Sequence, residues 1–100
     1  MTPRKCVNTL VNKYIDGFPY ACEALDLSAG GLLIRRIWEP DKARDFYSLE
    51  LGLPNASDGL WIWARTVWAD GETQALRFVW MDEADRGLLN QYLESAQQAA

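Results

Sequence analysis

Asp26-Leu27-Ser28-Ala29-Gly30-Gly31 is the segment of this 100-residue sequence whose residue types can do chemistry together. It places a carboxylate, a hydroxyl and two residues without side chains close together. The carboxylate can accept two hydrogen bonds from the N1–H and N2–H edge of a guanine, a pattern the other bases do not match. Glycine lets a phosphate or a base approach the main chain closely. The same residues also make an ordinary Asx or Ser turn with glycine at positive φ. The segment alone leaves both readings open.

Composition narrows the chemistry further. The sequence has no histidine, and Cys6 and Cys22 are its only cysteines. Two thiols without histidine make no usual structural zinc site, and the common nucleophilic triads lack their base. Both cysteines read as small buried hydrophobes kept reduced. No convergent acid, base and nucleophile can be named, so the expectation is a protein that is not an enzyme and needs no metal or cofactor. Ten Lys and Arg against fourteen Asp and Glu give a net charge of −4, which argues against DNA binding through a basic face. The charge is uneven. Residues 1–40 carry five basic and four acidic side chains (net +1), and residues 41–100 carry five and ten (net −5). An anion-binding surface is therefore expected in the N-terminal part, among Arg4, Lys5, Lys13, Arg35 and Arg36.

The elements that must position the segment follow from the turns. Asp16-Gly17, Gly30-Gly31, Gly52-Leu53-Pro54-Asn55, Asp58-Gly59 and Asp70-Gly71 punctuate the chain at short intervals. Between them lie runs rich in Val, Ile, Leu, Trp, Tyr and Phe that read as strands: 8–15, 19–27, Leu32–Trp38, Phe46–Leu51, Leu60–Ala69 and Gln74–Trp80. Glu39–Asp45 fits a loop or one helical turn. From Asp82 the period becomes helical, with Leu88, Leu89, Tyr92, Leu93 and Ala96 on one stripe, Asp82 as N-cap, and Glu83 and Asp85 in the first turn. Short strands with frequent tight turns favour a sandwich or small barrel, closed here by one helix. The length supports a single domain over residues 1–100: an N-terminal arm (1–7), a barrel (8–80) and a C-terminal helix (82–97). The longest apolar runs are a few residues, too short to span a membrane. No apolar stretch follows Met1-Thr2-Pro3-Arg4-Lys5, so a cytoplasmic location is expected.

Asp26-x-Ser28-x-x-Gly31 resembles the (Asp/Asn)-x-Ser-x-x-Gly motif of PilZ domains, bacterial receptors for cyclic di-GMP. The resemblance extends beyond the motif, to Leu32-Leu33-Ile34 after it and to Ala64-Arg65-Thr66-Val67-Trp68. It continues in Ala75-Leu76-Arg77-Phe78-Val79 with Asp82-Glu83-Ala84-Asp85-Arg86-Gly87-Leu88-Leu89. It covers roughly residues 4–95. It implies an all-β fold with one C-terminal helix, a six-stranded antiparallel PilZ-like β-barrel, and cyclic di-GMP as ligand. It also implies ligand contacts from Asp26, Ser28 and Gly31. The family usually adds an Arg-x-x-x-Arg pair before the first strand. Here Arg4 matches one arginine, Asn8 stands four residues after it, and no residue stands four before it. Lys5 can add charge but not the two-pronged hydrogen bonding of a guanidinium. The resemblance thus implies a cyclic di-GMP site of Arg4, Lys5, Asp26, Ser28 and Gly31, with its arginine half incomplete. It implies signalling through an unidentified protein partner. The alternative is an adaptor that works by protein contacts alone.

Five tryptophans, Trp38, Trp61, Trp63, Trp68 and Trp80, are several times an ordinary share. Strand alternation puts Leu60, Ile62, Ala64 and Trp68 on one face and Trp61, Trp63 and Val67 on the other. A small barrel buries one face of each strand. The other aromatic face is either covered by the C-terminal helix or exposed for homodimerisation or partner docking.

Overall fold

Six strands and one helix follow in chain order: β1 (Arg4–Ile15), β2 (Phe18–Ser28), β3 (Gly31–Arg36), β4 (Phe46–Leu51), β5 (Leu60–Asp70), β6 (Thr73–Met81) and α1 (Glu83–Gln98). The computed structural model describes residues 4–40 and 44–98, and side chains over 10–40 and 44–95. All strand pairs are antiparallel, in the order β1-β2-β3-β6-β5-β4, and β4 pairs with β1 to close a barrel. The all-β reading with one terminal helix holds.

Local chemistry explains the hairpins. Asp16 (φ 52°) and Gly17 (φ 85°) both sit in the left-handed region, the conformation a two-residue hairpin needs to match the strand twist. β4 falls where the sequence puts it, whereas β3 starts at Gly31 and stops at Arg36, short of Trp38. β1 starts at Arg4, so residues 4–7 are strand rather than an arm; residues 1–3 lie outside the described residues. The reason is the length of β2: Leu27 and Ser28 pair with Lys5 and Arg4, which satisfies backbone groups that would otherwise lack partners. In the Glu39–Asp45 connection, residues 41–43 lie outside the described residues, and the others belong to no helix or strand.

Inside the barrel, Leu60, Ile62 and Ala64 of β5 meet Tyr47, Leu49 and Leu51 of β4, and β2, β3 and β6 add Cys22, Ala24, Leu32, Ile34, Leu76 and Phe78. The helix begins as expected. Asp82 accepts a hydrogen bond from Ala84 N through Oδ2 at 3.3 Å and from Arg86 N through its carbonyl at 2.9 Å. Leu89 and Leu93 join the core, with Leu88 and Tyr92 half-buried beside it; the Ala96 side chain lies outside the described part. Two bonds fix α1 at the end where β4 and β5 are joined: Asn55 Nδ2 donates to Leu88 O (3.0 Å), and Trp61 N donates to Asp85 Oδ2 (3.3 Å).

That placement decides the tryptophan question. The helical stripe is used at the barrel end, so Trp61 and Trp63 stay 49% and 43% exposed. Trp68 departs from the alternation pattern. Register shifts in the β5–β6 ladder, the second between Thr66 and Trp68, turn it outward, where it is 46% exposed.

Candidate functional site

The Asp26–Gly31 segment forms the end of β2, a two-residue turn and the start of β3. The Ser28 hydroxyl donates to Gly31 O at 3.4 Å across that turn, and Gly30 O accepts from Phe78 N at 2.9 Å. Neither Gly30 nor Gly31 has a positive φ, so the turn does not use glycine for that reason. Gly31 serves closeness instead, but to protein. A Cβ there would lie 2.5 Å from the carbonyl oxygen of Leu76 on β6, while a Cβ on Gly30 would meet nothing. Gly31→Ala is therefore expected to strain the β3–β6 ladder and cost about 1–3 kcal/mol in chemical denaturation. Gly30→Ala is expected to leave stability within about 0.5 kcal/mol.

A cleft of about 450 Å³ opens beside this turn, lined by Asp26, Ser28, Gly30, Gly31, Leu33, Val67, Trp68 and Arg77 among others. It is built by one cross-strand row. Asp26 pairs with Leu33, Leu33 with Ala75, and Ala75 with Trp68, so four strands contribute neighbours. A second row sets Gly31 opposite Arg77 and Arg77 opposite Arg65. Like charges directly opposite one another repel. Their positions differ: Arg77 lines the cleft, while the Arg65 guanidinium lies over the Phe46 ring, 6.0 Å from its centroid.

The register brings the N-terminal candidates to the same place. Arg4 is the cross-strand partner of Ser28, Lys5 of Leu27 and Cys6 of Asp26. Their backbones are thus adjacent to the motif; the side chains of Arg4 and Lys5 lie outside the described part. The other cations expected in an anion-binding surface are elsewhere. Arg35 pairs with Glu23 at 3.5 Å, and Arg36 donates to Gly71 O. Lys13 is buried inside the barrel, with Nζ 2.7 Å from Glu39 Oε1 and 2.8 Å from Gln74 Oε1, and 4.5 Å from the Tyr47 ring centroid. Cys22 is buried beside this cluster, and burial pushes its thiol up to about 11, so it is inert near neutral pH.

Arg77 and Trp68 escape a reading by sequence position. They lie some forty residues from the motif, and only the pairing of β6 with β3 brings them beside it. The chemistry available in the cleft is that of a binding site. Its lining holds a carboxylate, a hydroxyl, a guanidinium and an indole, a set suited to a planar, hydrogen-bonding anion. Among the described residues no group of three metal-binding side chains converges, and no helix is long and apolar enough to cross a membrane.

A family model described as the PilZ domain matches residues 2–95. No curated protein matches the chain by sequence. Among solved structures, the Bacillus subtilis inhibitor of motility MotI/DgrA superposes with a TM-score of 0.76 at 17% identity, covering 98% of this chain and 50% of that one. The chain thus spans half the length of MotI/DgrA. The PilZ domain of CeSA from a cellulose-synthesising bacterium gives 0.69 at 17% identity, covering 94% and 97%. An uncharacterised Legionella protein gives 0.66 at 16% identity, covering 96% and 95%. At these identities the likeness is one of fold.

Proposed function

The chain belongs to the PilZ domain family, and from that membership we propose that it is a cytoplasmic cyclic di-GMP receptor, not an enzyme, that signals through a protein partner. The observation that carries this reading is the cleft in which Asp26, Ser28 and Gly31 meet Arg77 and Trp68, with Arg4 in register opposite Ser28. In it, Asp26 accepts from a guanine edge and Trp68 offers a stacking face. Arg77, with Arg4 and Lys5, neutralises phosphate. Gly31 contributes by letting β6 approach. A ligand held between the start of β1 and the β2–β3 turn changes the surface that a partner meets there. That MotI/DgrA is named as an inhibitor of motility supports a role exercised on another protein.

A second reading, an adaptor that binds no nucleotide, is favoured by the incomplete arginine pair, of which Arg4 matches only one member. Calorimetric titration with cyclic di-GMP separates the two. The receptor reading expects saturable binding that weakens about tenfold or more in Asp26→Ala, the loss of a charge-assisted hydrogen bond. Arg77→Ala should weaken it similarly and also flatten its salt dependence. An absence of heat and of any tryptophan fluorescence change at millimolar nucleotide would leave the adaptor as the account.

A further inference from the structure

The outer face of β1, β4 and β5 is apolar where a barrel's outer face should be polar. Tyr14 and Trp61 lie with ring centroids 5.3 Å apart, and Phe46 stacks on Trp63 at 5.7 Å with an interplanar angle of 4°. Ser48 separates the two pairs, and the groove between them holds about 380 Å³. Trp80 of β6 stands opposite Trp63 and is exposed. Exposed rings cost solubility unless something covers them, and α1 does not.

We propose that this face is a homodimer interface, closed by a two-fold axis across Ser48 and Trp63 that sets Arg65 of one copy against Glu50 and Trp61 of the other.

The charge pattern selects a second copy as the occupant. Along the β4–β5 ladder the outward pairs are Phe46 with Arg65, Ser48 with Trp63, and Glu50 with Trp61. The face is therefore basic at one end and acidic at the other, where Asp85 also approaches the Trp61 backbone. A two-fold axis in the plane of the interface, perpendicular to the strands, reverses the strand direction of the second copy. Each basic end then meets an acidic end twice, as an isologous contact requires. Trp63 meets its own counterpart on the axis, and Arg65 reaches both a carboxylate and an indole face. A surface of uniform charge would repel its own copy in this arrangement.

The area is adequate. Trp61, Trp63, Trp80 and Phe46, each about half exposed, offer roughly 400 Å² of ring surface together. That is about half of the ~800 Å² per partner in a standard interface, which suits an apolar centre with a polar rim. The net charge of −4 opposes association at long range, so moderate salt should favour the dimer.

Sedimentation of the full chain across a concentration series tests the proposal. The expected result is a monomer–dimer equilibrium that Trp63→Ser abolishes while far-ultraviolet circular dichroism stays unchanged. Arg65→Glu alone and Glu50→Arg alone should each raise the dissociation constant by at least about tenfold, because like charges then face each other. The two variants mixed, or combined in one chain, should recover the dimer. A wild-type chain that remains monomeric at every concentration overturns the proposal. So does a dimer indifferent to the single reversals, or a double reversal that stays monomeric. None of these outcomes depends on nucleotide, so failure here leaves the receptor reading standing.

Discussion

Removing the carboxylate of Glu39 by Glu39→Ala is expected to cost about 3–5 kcal/mol of folding stability, read from the midpoint of urea unfolding. Lys13 has no exposed side-chain surface, and Glu39, itself only 13% exposed, supplies its countercharge at 2.7 Å. Gln74 and the Tyr47 ring remain in the variant, but both are neutral, so an uncompensated ammonium stays inside the barrel. Lys13→Met combined with Glu39→Ala removes the cation as well as its partner. That double variant is expected to recover most of the loss, since a packed apolar side chain avoids the desolvation of a buried ion pair. If Glu39→Ala unfolds within about 1 kcal/mol of the parent chain, the pair is not what holds this end of the barrel together.

Ending the chain after Met81 is expected to leave it unfolded or aggregated. The truncation removes Leu89 and Leu93, both buried in the core, and the partly buried Leu88 and Tyr92 packed against it. At roughly 1.5–3 kcal/mol for each fully buried side chain, the two leucines alone contribute about 3–6 kcal/mol, a large part of a typical domain's stability. Leu89→Ala is the graded form of the same test, with an expected loss of about 2–5 kcal/mol in thermal or chemical unfolding. A truncated chain that melts cooperatively would show that the barrel closes without its helix.

The sequence by itself determined whatever depends on neighbours along the chain. Alternation over Leu60–Ala64 defines an inward and an outward side. Asp16-Gly17 specifies a tight hairpin because few residues tolerate two successive positive φ angles. Asp82 and the stripe through Leu89 and Leu93 place the helix to within a residue of its start. The Asp26–Gly31 motif was legible because its members are contiguous. Tertiary structure decided what depends on strands that are distant in sequence. Pairing of β3 with β6 brings Arg77 beside Gly31 and gives the glycine a structural reason in the close Leu76 carbonyl. A register shift that alternation cannot foresee turns Trp68 into the cleft. Barrel closure, which buries the inward side of every strand, takes Lys13 from the expected cationic surface into an internal ion pair with Glu39. A strand's own residues fix which side chains share a face, but only the closed set of six strands fixes what each face meets.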